Sequence, residues 1–143
     1  MKIFIFGSLL SQEVLNTVLG VKHIQLNKIP QTSIKNYKAT YVQNESYPML
    51  IAHKGSVTYG KIISIENDHL LERLKFYEGD ENPLTLISSK VDSLYAFIAD
   101  STLSSSSADW SYQEWYKSTT HTDFLLKVEK YMSYFDSEIK APW

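Results

Sequence analysis

The stretch Lys2-Ile3-Phe4-Ile5-Phe6-Gly7-Ser8-Leu9-Leu10-Ser11 decides how the chain begins and, with it, the fold. Ile3-Phe4-Ile5-Phe6 is β-branched and aromatic, carries no polar residue and stops at a glycine. That is the pattern of a short strand buried on both faces. Ser11 suits an N-cap, and Val14, Leu15, Val18 and Leu19 recur at helical spacing up to Gly20, which predicts a helix over residues 12–19. A strand that runs through glycine into a helix aligns consecutive backbone N–H groups, and such a nest suits a carboxylate or another anion. An ordinary strand-to-helix turn has the same composition, so both readings stand at this point.

The pattern outward from this turn is mixed. Residues 24–29 alternate weakly up to Pro30, and Tyr37–Val42 reads as a strand. Tyr47-Pro48-Met49-Leu50-Ile51 reads as extended, because the residue before a proline is pushed out of the helical region. Val57–Ile65 has strong β character, with Gly60 inside it marking a bulge or the close approach of another backbone. Asn67 is positioned to cap a helix reaching about Phe76, whose buried face is Leu70, Leu71 and Leu74. Leu84–Ser89 and Leu94–Ile98 read as strands, and the serines at Ser104–Ser107 as a flexible loop. Trp110–Tyr116 suggests a short helix. Thr120 with Asp123 resembles a capping box ahead of a helix with Phe124, Val128, Tyr131, Met132 and Phe135 on one face. The sum is an α+β domain of six or seven strands and about three helices, a single domain over residues 1–143.

Composition excludes several classes. The chain has no cysteine, so disulfides and thiolate metal sites are out. Its net charge is −2 and Arg73 is its only arginine, which argues against nucleic acid as a partner. No stretch approaches the roughly 20 apolar residues of a membrane span, and the apolar N-terminal stretch is too short for a signal peptide. The expectation is a cytoplasmic protein with no membrane partner. His23, His53, His69 and His121 are far apart and form no H-x-x-x-H pair, so surface or ordinary polar roles are expected for each, and no metal site. No G-x-x-x-x-G-K-[ST], G-x-G-x-x-G or G-x-S-x-G motif is present. The ten tyrosines read first as half-buried packing in strands.

Besides the glycine turn, one feature carries chemistry. In Leu74-Lys75-Phe76-Tyr77-Glu78-Gly79 a carboxylate falls where an amphipathic helix ends. With Tyr77 packed inward, Glu78 would sit at the rim of an apolar cavity. Burial, with repulsion from Asp80 and Glu81, would then raise its pKa toward the range useful for proton transfer. The alternatives are a solvated acidic turn, or a cation loop for which the ligand spacing is wrong.

In order, these segments resemble the gamma-glutamylcyclotransferase-like superfamily, which includes gamma-glutamylamine cyclotransferases and plant avirulence-induced proteins. Its Y-G-[ST]-L turn stands here as Phe6-Gly7-Ser8-Leu9 and its Y-P-[AM]-L segment as Tyr47-Pro48-Met49-Leu50. Its V-x-G strand stands as Val57-Thr58-Tyr59-Gly60, one residue longer, and its L-x-x-[FY]-E-G helix end as Leu74 to Gly79. Trp110 and Trp115 ahead of Phe124-Leu125 match its late tryptophans.

The resemblance implies a small mixed β-barrel flanked by helices, with a cavity for a small gamma-glutamyl substrate. It implies that backbone amides of Gly7, Ser8 and Leu9 hold the α-carboxylate and that Phe6, Tyr47 and Pro48 join the substrate site. It makes Glu78 the acid/base of a cyclisation releasing 5-oxoproline, without metal or organic cofactor. Two departures stand out: the turn's tyrosine is Phe6, and the tyrosine and arginine that follow E-G in the family are missing from Asp80-Glu81-Asn82-Pro83-Leu84-Thr85-Leu86. They keep a non-catalytic small-molecule-binding role open beside the enzyme. A third reading, an interaction surface built from the aromatics of residues 110–135, requires those side chains to be exposed.

Overall fold

The computed structural model describes residues 1–45, 47–90, 92–118 and 121–137. Among these residues six strands form one mixed sheet: β1 (Lys2–Ile5), β2 (Thr32–Val42), β3 (Pro48–Ser64), β4 (Leu84–Ser88), β5 (Leu94–Phe97) and β6 (Ser105–Asp109). Their order is β4-β5-β1-β3-β2-β6. β1 runs parallel to β5, and every other neighbouring pair is antiparallel. Four α-helices accompany the sheet: α1 (Gln12–Leu19), α2 (Asp68–Glu78), α3 (Tyr112–Ser118) and α4 (His121–Asp136). The sheet curls into a half-barrel, giving the mixed α+β architecture expected from the sequence.

The apolar run of β1 is buried on both faces, and each face belongs to a different core. Ile3 and Ile5 join Leu15, Val18, Leu74, Val128 and Met132 beneath the helices. Phe4 points the other way, into a smaller core with Ile34, Leu50 and Ala96 on the other face of the sheet. Each such side chain contributes roughly 1.5–3 kcal/mol on burial. β1 is therefore the strand through which both cores, and the turn that follows it, are fixed.

The segments read as two strands, 47–51 and 57–65, are one long strand, β3. Its first part pairs with the second half of β2 and its second part with both β2 and β1. Gly60 is where β3 meets β1 backbone: a Cβ there would lie 2.1 Å from the Ile5 carbonyl oxygen. The register shift falls between the pairs Lys35↔Val57 and Tyr37↔Ala52, where the extra residues belong to β3 and not to β2.

Two expectations are corrected. The weakly alternating stretch before Pro30 holds a short 3-10 turn, Leu26–Lys28, instead of a strand. The Gln12 side chain holds it there, donating to the Ile24 carbonyl at 2.8 Å and accepting from Leu26 N–H at 2.8 Å, while the Leu26 side chain is buried. The serine run is also ordered: Ser105–Asp109 forms β6 against β2. Ser105 Oγ donates to Thr40 Oγ1 at 2.9 Å and Gln43 N–H to the Ser104 carbonyl at 2.7 Å, partners that composition does not reveal. Of the Thr120–Asp123 capping box, Thr120 lies outside the described residues.

The helices begin and end as their sequences dictate. Ser11 accepts from Val14 N–H, and Asn67 Oδ1 from His69 and Leu70 N–H. Arg73 completes the C-terminus of α1 from a neighbouring helix. Its Nε donates to the Val18 carbonyl at 2.7 Å and its Nη2 to the Thr17 carbonyl at 3.2 Å. Its guanidinium also pairs with Asp136 and lies over the Phe135 ring, 5.4 Å from the centroid. One planar cation thus locks α1, α2 and α4 together. Arg73→Met should leave two helix-end carbonyls without donors and lower stability by about 2–4 kcal/mol. A urea midpoint measured by circular dichroism checks this, and Arg73→Lys, lacking the fork, should recover only part of the loss.

Candidate active site

The turn after β1 is a 3-10 helix, Gly7–Leu10, entered from an extended Phe6. Gly7 has φ +73°, in the left-handed region that favours glycine. A Cβ on it would also press on Pro48 Cγ at 2.9 Å. The start of β3 therefore packs directly on the turn, which explains why Tyr47-Pro48 belongs to the same place as Gly7-Ser8. The first N–H groups of such a turn have no acceptor within it. The Leu9 side chain is buried in the helix-side core, and Leu9 does not line the pocket described below.

Glu78 is the last residue of α2, and the end of this helix is held from several directions. Gly79 N–H donates to the Lys75 carbonyl at 3.0 Å. Tyr131, on α4, donates its hydroxyl to the Phe76 carbonyl at 2.7 Å, and its ring packs on Phe76 with centroids 4.6 Å apart. Asn82 Nδ2 donates to the Glu78 carbonyl at 3.0 Å. The last-turn carbonyls of a helix ordinarily lack partners. Here three of them are satisfied, and the backbone carrying Glu78 is fixed.

Tyr77 packs inward, as the sequence reading required, and its hydroxyl meets Ser8 Oγ at 2.6 Å. This contact joins the end of α2 to the glycine turn. One pocket, of about 1070 Å³, is lined by both. Phe6, Gly7, Ser8, Tyr47, Pro48 and Glu78 all line it, so six of the seven residues singled out from the sequence come together, and Leu9 stands behind them. Phe124, Lys127, Tyr131 and Tyr134 of α4 line it as well. The α4 contribution and Asn82 were not singled out as functional. The apolar stripe of α4 signals Phe124 and Tyr131, identically for packing and for lining a cavity, while Asn82, Lys127 and Tyr134 lie outside it.

Burial pushes the Glu78 carboxyl from the ordinary 4.5 up to about 7. The side chain keeps partial exposure, through the pocket, while protein surrounds its carboxyl. Desolvation is the whole cause; the expected repulsion from Asp80 and Glu81 plays no part, and both of those side chains are exposed. A carboxyl at about 7 can exchange a proton with an amine at neutral pH, which an ordinary glutamate does poorly. Burial also pushes the Tyr77 phenol up, so it stays protonated at any physiological pH.

Three of the four histidines make ordinary contacts. His53 Nδ1 meets Ser56 Oγ at 2.6 Å, His121 Nε2 meets Ser11 Oγ at 3.0 Å, and His69 packs on the Phe135 ring. Trp110 and Trp115 are buried, Trp115 edge-on against Phe124 at 5.0 Å, so these aromatics are used inside the molecule. Among the described residues no helix is long and apolar enough to cross a membrane.

The same fold is found in solved structures. The chain is similar to the solution structure of an Arabidopsis thaliana protein at TM-score 0.53 and 20% identity, covering 92% of this chain and 90% of that one. A second Arabidopsis thaliana solution structure gives TM-score 0.54 at 15% identity, covering 95% and 83%. The crystal structure of an uncharacterised Pyrococcus horikoshii protein gives 0.51 at 16%, covering 73% and 82%. These likenesses define the fold class. No curated protein matches the chain significantly. Residues 3–116 match the family described as gamma-glutamyl cyclotransferase, AIG2-like, and the chain belongs to that family.

Proposed function

We propose that this protein cyclises the γ-glutamyl group of a small compound, releasing 5-oxoproline and an amine or amino acid. The observation that carries this reading is the shared pocket, in which a buried carboxyl at about 7 faces the same space as the Gly7–Ser8 turn. The turn's amides hold the substrate's α-carboxylate. The substrate's α-amine attacks its own γ-carbonyl carbon, forming the ring C–N bond and breaking the bond to the leaving nitrogen. Glu78 takes the proton the amine must lose and returns it to that nitrogen, so no proton or electron is left over. The reaction needs no electron carrier and no transferable cofactor group.

Magnitudes support the assignment. A free α-amino group has a pKa of roughly 8, so transfer to a carboxylate at 4.5 is uphill by about 5 kcal/mol. Transfer to one at about 7 is uphill by only about 1.4 kcal/mol. Amine and carbonyl already belong to one molecule, so what the pocket adds is orientation, holding them in a near-attack arrangement. A pocket of this volume accommodates the γ-glutamyl group with a leaving group attached.

The test is 5-oxoproline release from a panel of γ-glutamyl amino acids and γ-glutamylamines, read by mass spectrometry. Release from at least one member is expected. Saturable binding across the panel with no 5-oxoproline would replace this reading with the binding role that the missing tyrosine and arginine favour.

A further inference from the structure

Ser8 and Tyr77 carry two hydroxyl protons and share one hydrogen bond, 2.6 Å long. Whichever oxygen donates, one O–H remains after the pair is made, and among the described residues neither hydroxyl has another partner. Both residues line the pocket. Ser8 is 8% exposed, so its hydroxyl is held by the fold and not by solvent. Two neutral hydroxyls ending in a spare donor fit an anionic acceptor, because an O–H bond to a carboxylate is about twice as strong as one between neutral groups.

We propose that Tyr77 is a positioning residue for the γ-glutamyl head group: locked to Ser8, it leaves the pair with one O–H that donates to the substrate's α-carboxylate. The choice of that carboxylate over the reacting carbonyl rests on the function proposed above, and on Ser8 itself. It belongs to the turn whose amides hold that carboxylate, and the hydroxyl pair lines the same pocket. Because burial keeps the Tyr77 phenol protonated, the donor persists across the whole working pH range. The pair also ties carboxylate binding to the placement of Glu78, the residue after Tyr77. A substrate that engages the hydroxyl pair is held by the same helix end that carries the base.

The experiment measures γ-glutamyl-alanine, both its turnover and its direct binding by calorimetry. It compares the natural protein with Tyr77→Phe, Ser8→Ala and the double variant. Tyr77→Phe keeps the ring and should melt close to the parent. KM and Kd should rise about 10- to 100-fold in each single variant with kcat little changed, the signature of lost uniform binding. The double variant should be no worse than the worse single one, because the pair acts as a unit. The α-carboxamide analogue of γ-glutamyl-alanine should bind the parent weakly, and Tyr77→Phe should bind carboxylate and carboxamide more nearly alike. Unchanged affinity in Tyr77→Phe overturns the proposal. So does an equal loss for both ligands, which would mark a packing role, or a fall in kcat at constant KM. If the parent binds the dipeptide but releases no 5-oxoproline from it or from any other member of the panel, the cyclotransferase reading fails alone and the Tyr77→Phe affinity still decides this one. If the parent binds another member of the panel and not the dipeptide, that member takes the dipeptide's place in the comparison; if it binds none, both fall.

Discussion

Glu78→Gln is expected to lower 5-oxoproline release by about 10²- to 10⁴-fold, the usual loss on removing a general acid/base, while making the protein more stable above pH 7. The two effects share one cause. Burial raises the carboxyl from 4.5 to about 7, which suits it to proton exchange and also makes its ionised form costly to enclose. Below pH 4.5 the group is protonated folded and unfolded, and it contributes nothing. Between 4.5 and about 7 the unfolded chain ionises while the folded one stays protonated, so stability falls as pH rises. Above about 7 the full penalty, about 3 kcal/mol, is in place. Gln keeps the shape without the charge and escapes it. Urea unfolding of both proteins should give similar midpoints at pH 5 and a clearly higher one for Glu78→Gln at pH 8. Equal midpoints at pH 8 would mean the carboxyl is not desolvated, and retained activity would remove Glu78 from the mechanism. In the natural protein kcat/KM should rise with pH through about 7, as Glu78 becomes able to accept a proton.

Much of this site is legible in the sequence because its key residues have local causes. Gly7 answers to a left-handed turn, Glu78 to a helix end before Gly79, and the caps Ser11 and Asn67 to helix starts; each leaves a mark within a few residues. What makes the site work is long-range. Tyr77 meets Ser8 across 69 positions, Tyr131 meets the Phe76 carbonyl across 55, and Arg73 meets Val18 across 55. Periodicity marks Tyr77 and Tyr131 only as inward-facing. The serine run fails as a reading for the same reason, because its strand exists through Thr40 and Gln43, far back in the chain. The cause of the raised Glu78 pKa was half legible: the acidic neighbours are visible in the sequence, yet they stand exposed and burial does the whole of it.

Gly60→Ala should be the most damaging single-methyl change in the sheet, destabilising the protein by on the order of 4 kcal/mol, above the usual range for overpacking. Its backbone is unexceptional, and the constraint is space alone. A Cβ would lie 2.1 Å from the Ile5 carbonyl oxygen and 2.7 Å from Phe4 Cζ. Neither neighbour has room to yield. The oxygen is backbone in β1, paired to β3 along the register Ile5↔Lys61, and the Phe4 ring is 1% exposed in the smaller core. Relief requires β1 and β3 to part, and β1 is the strand shared by both cores. Whatever remains folded then carries Phe6 and Gly7, the residues straight after Ile5, out of line with Pro48 and Tyr77. The variant should therefore show a large fall in urea midpoint and, in its folded fraction, a weakened affinity for γ-glutamyl-alanine. Gly55→Ala is the control: it lies in the same strand and a Cβ there has nothing within 4 Å, though its φ of +88° carries its own strain of about 1 kcal/mol. A Gly60→Ala protein as stable as Gly55→Ala would show that β1 and β3 are not locked together at this point.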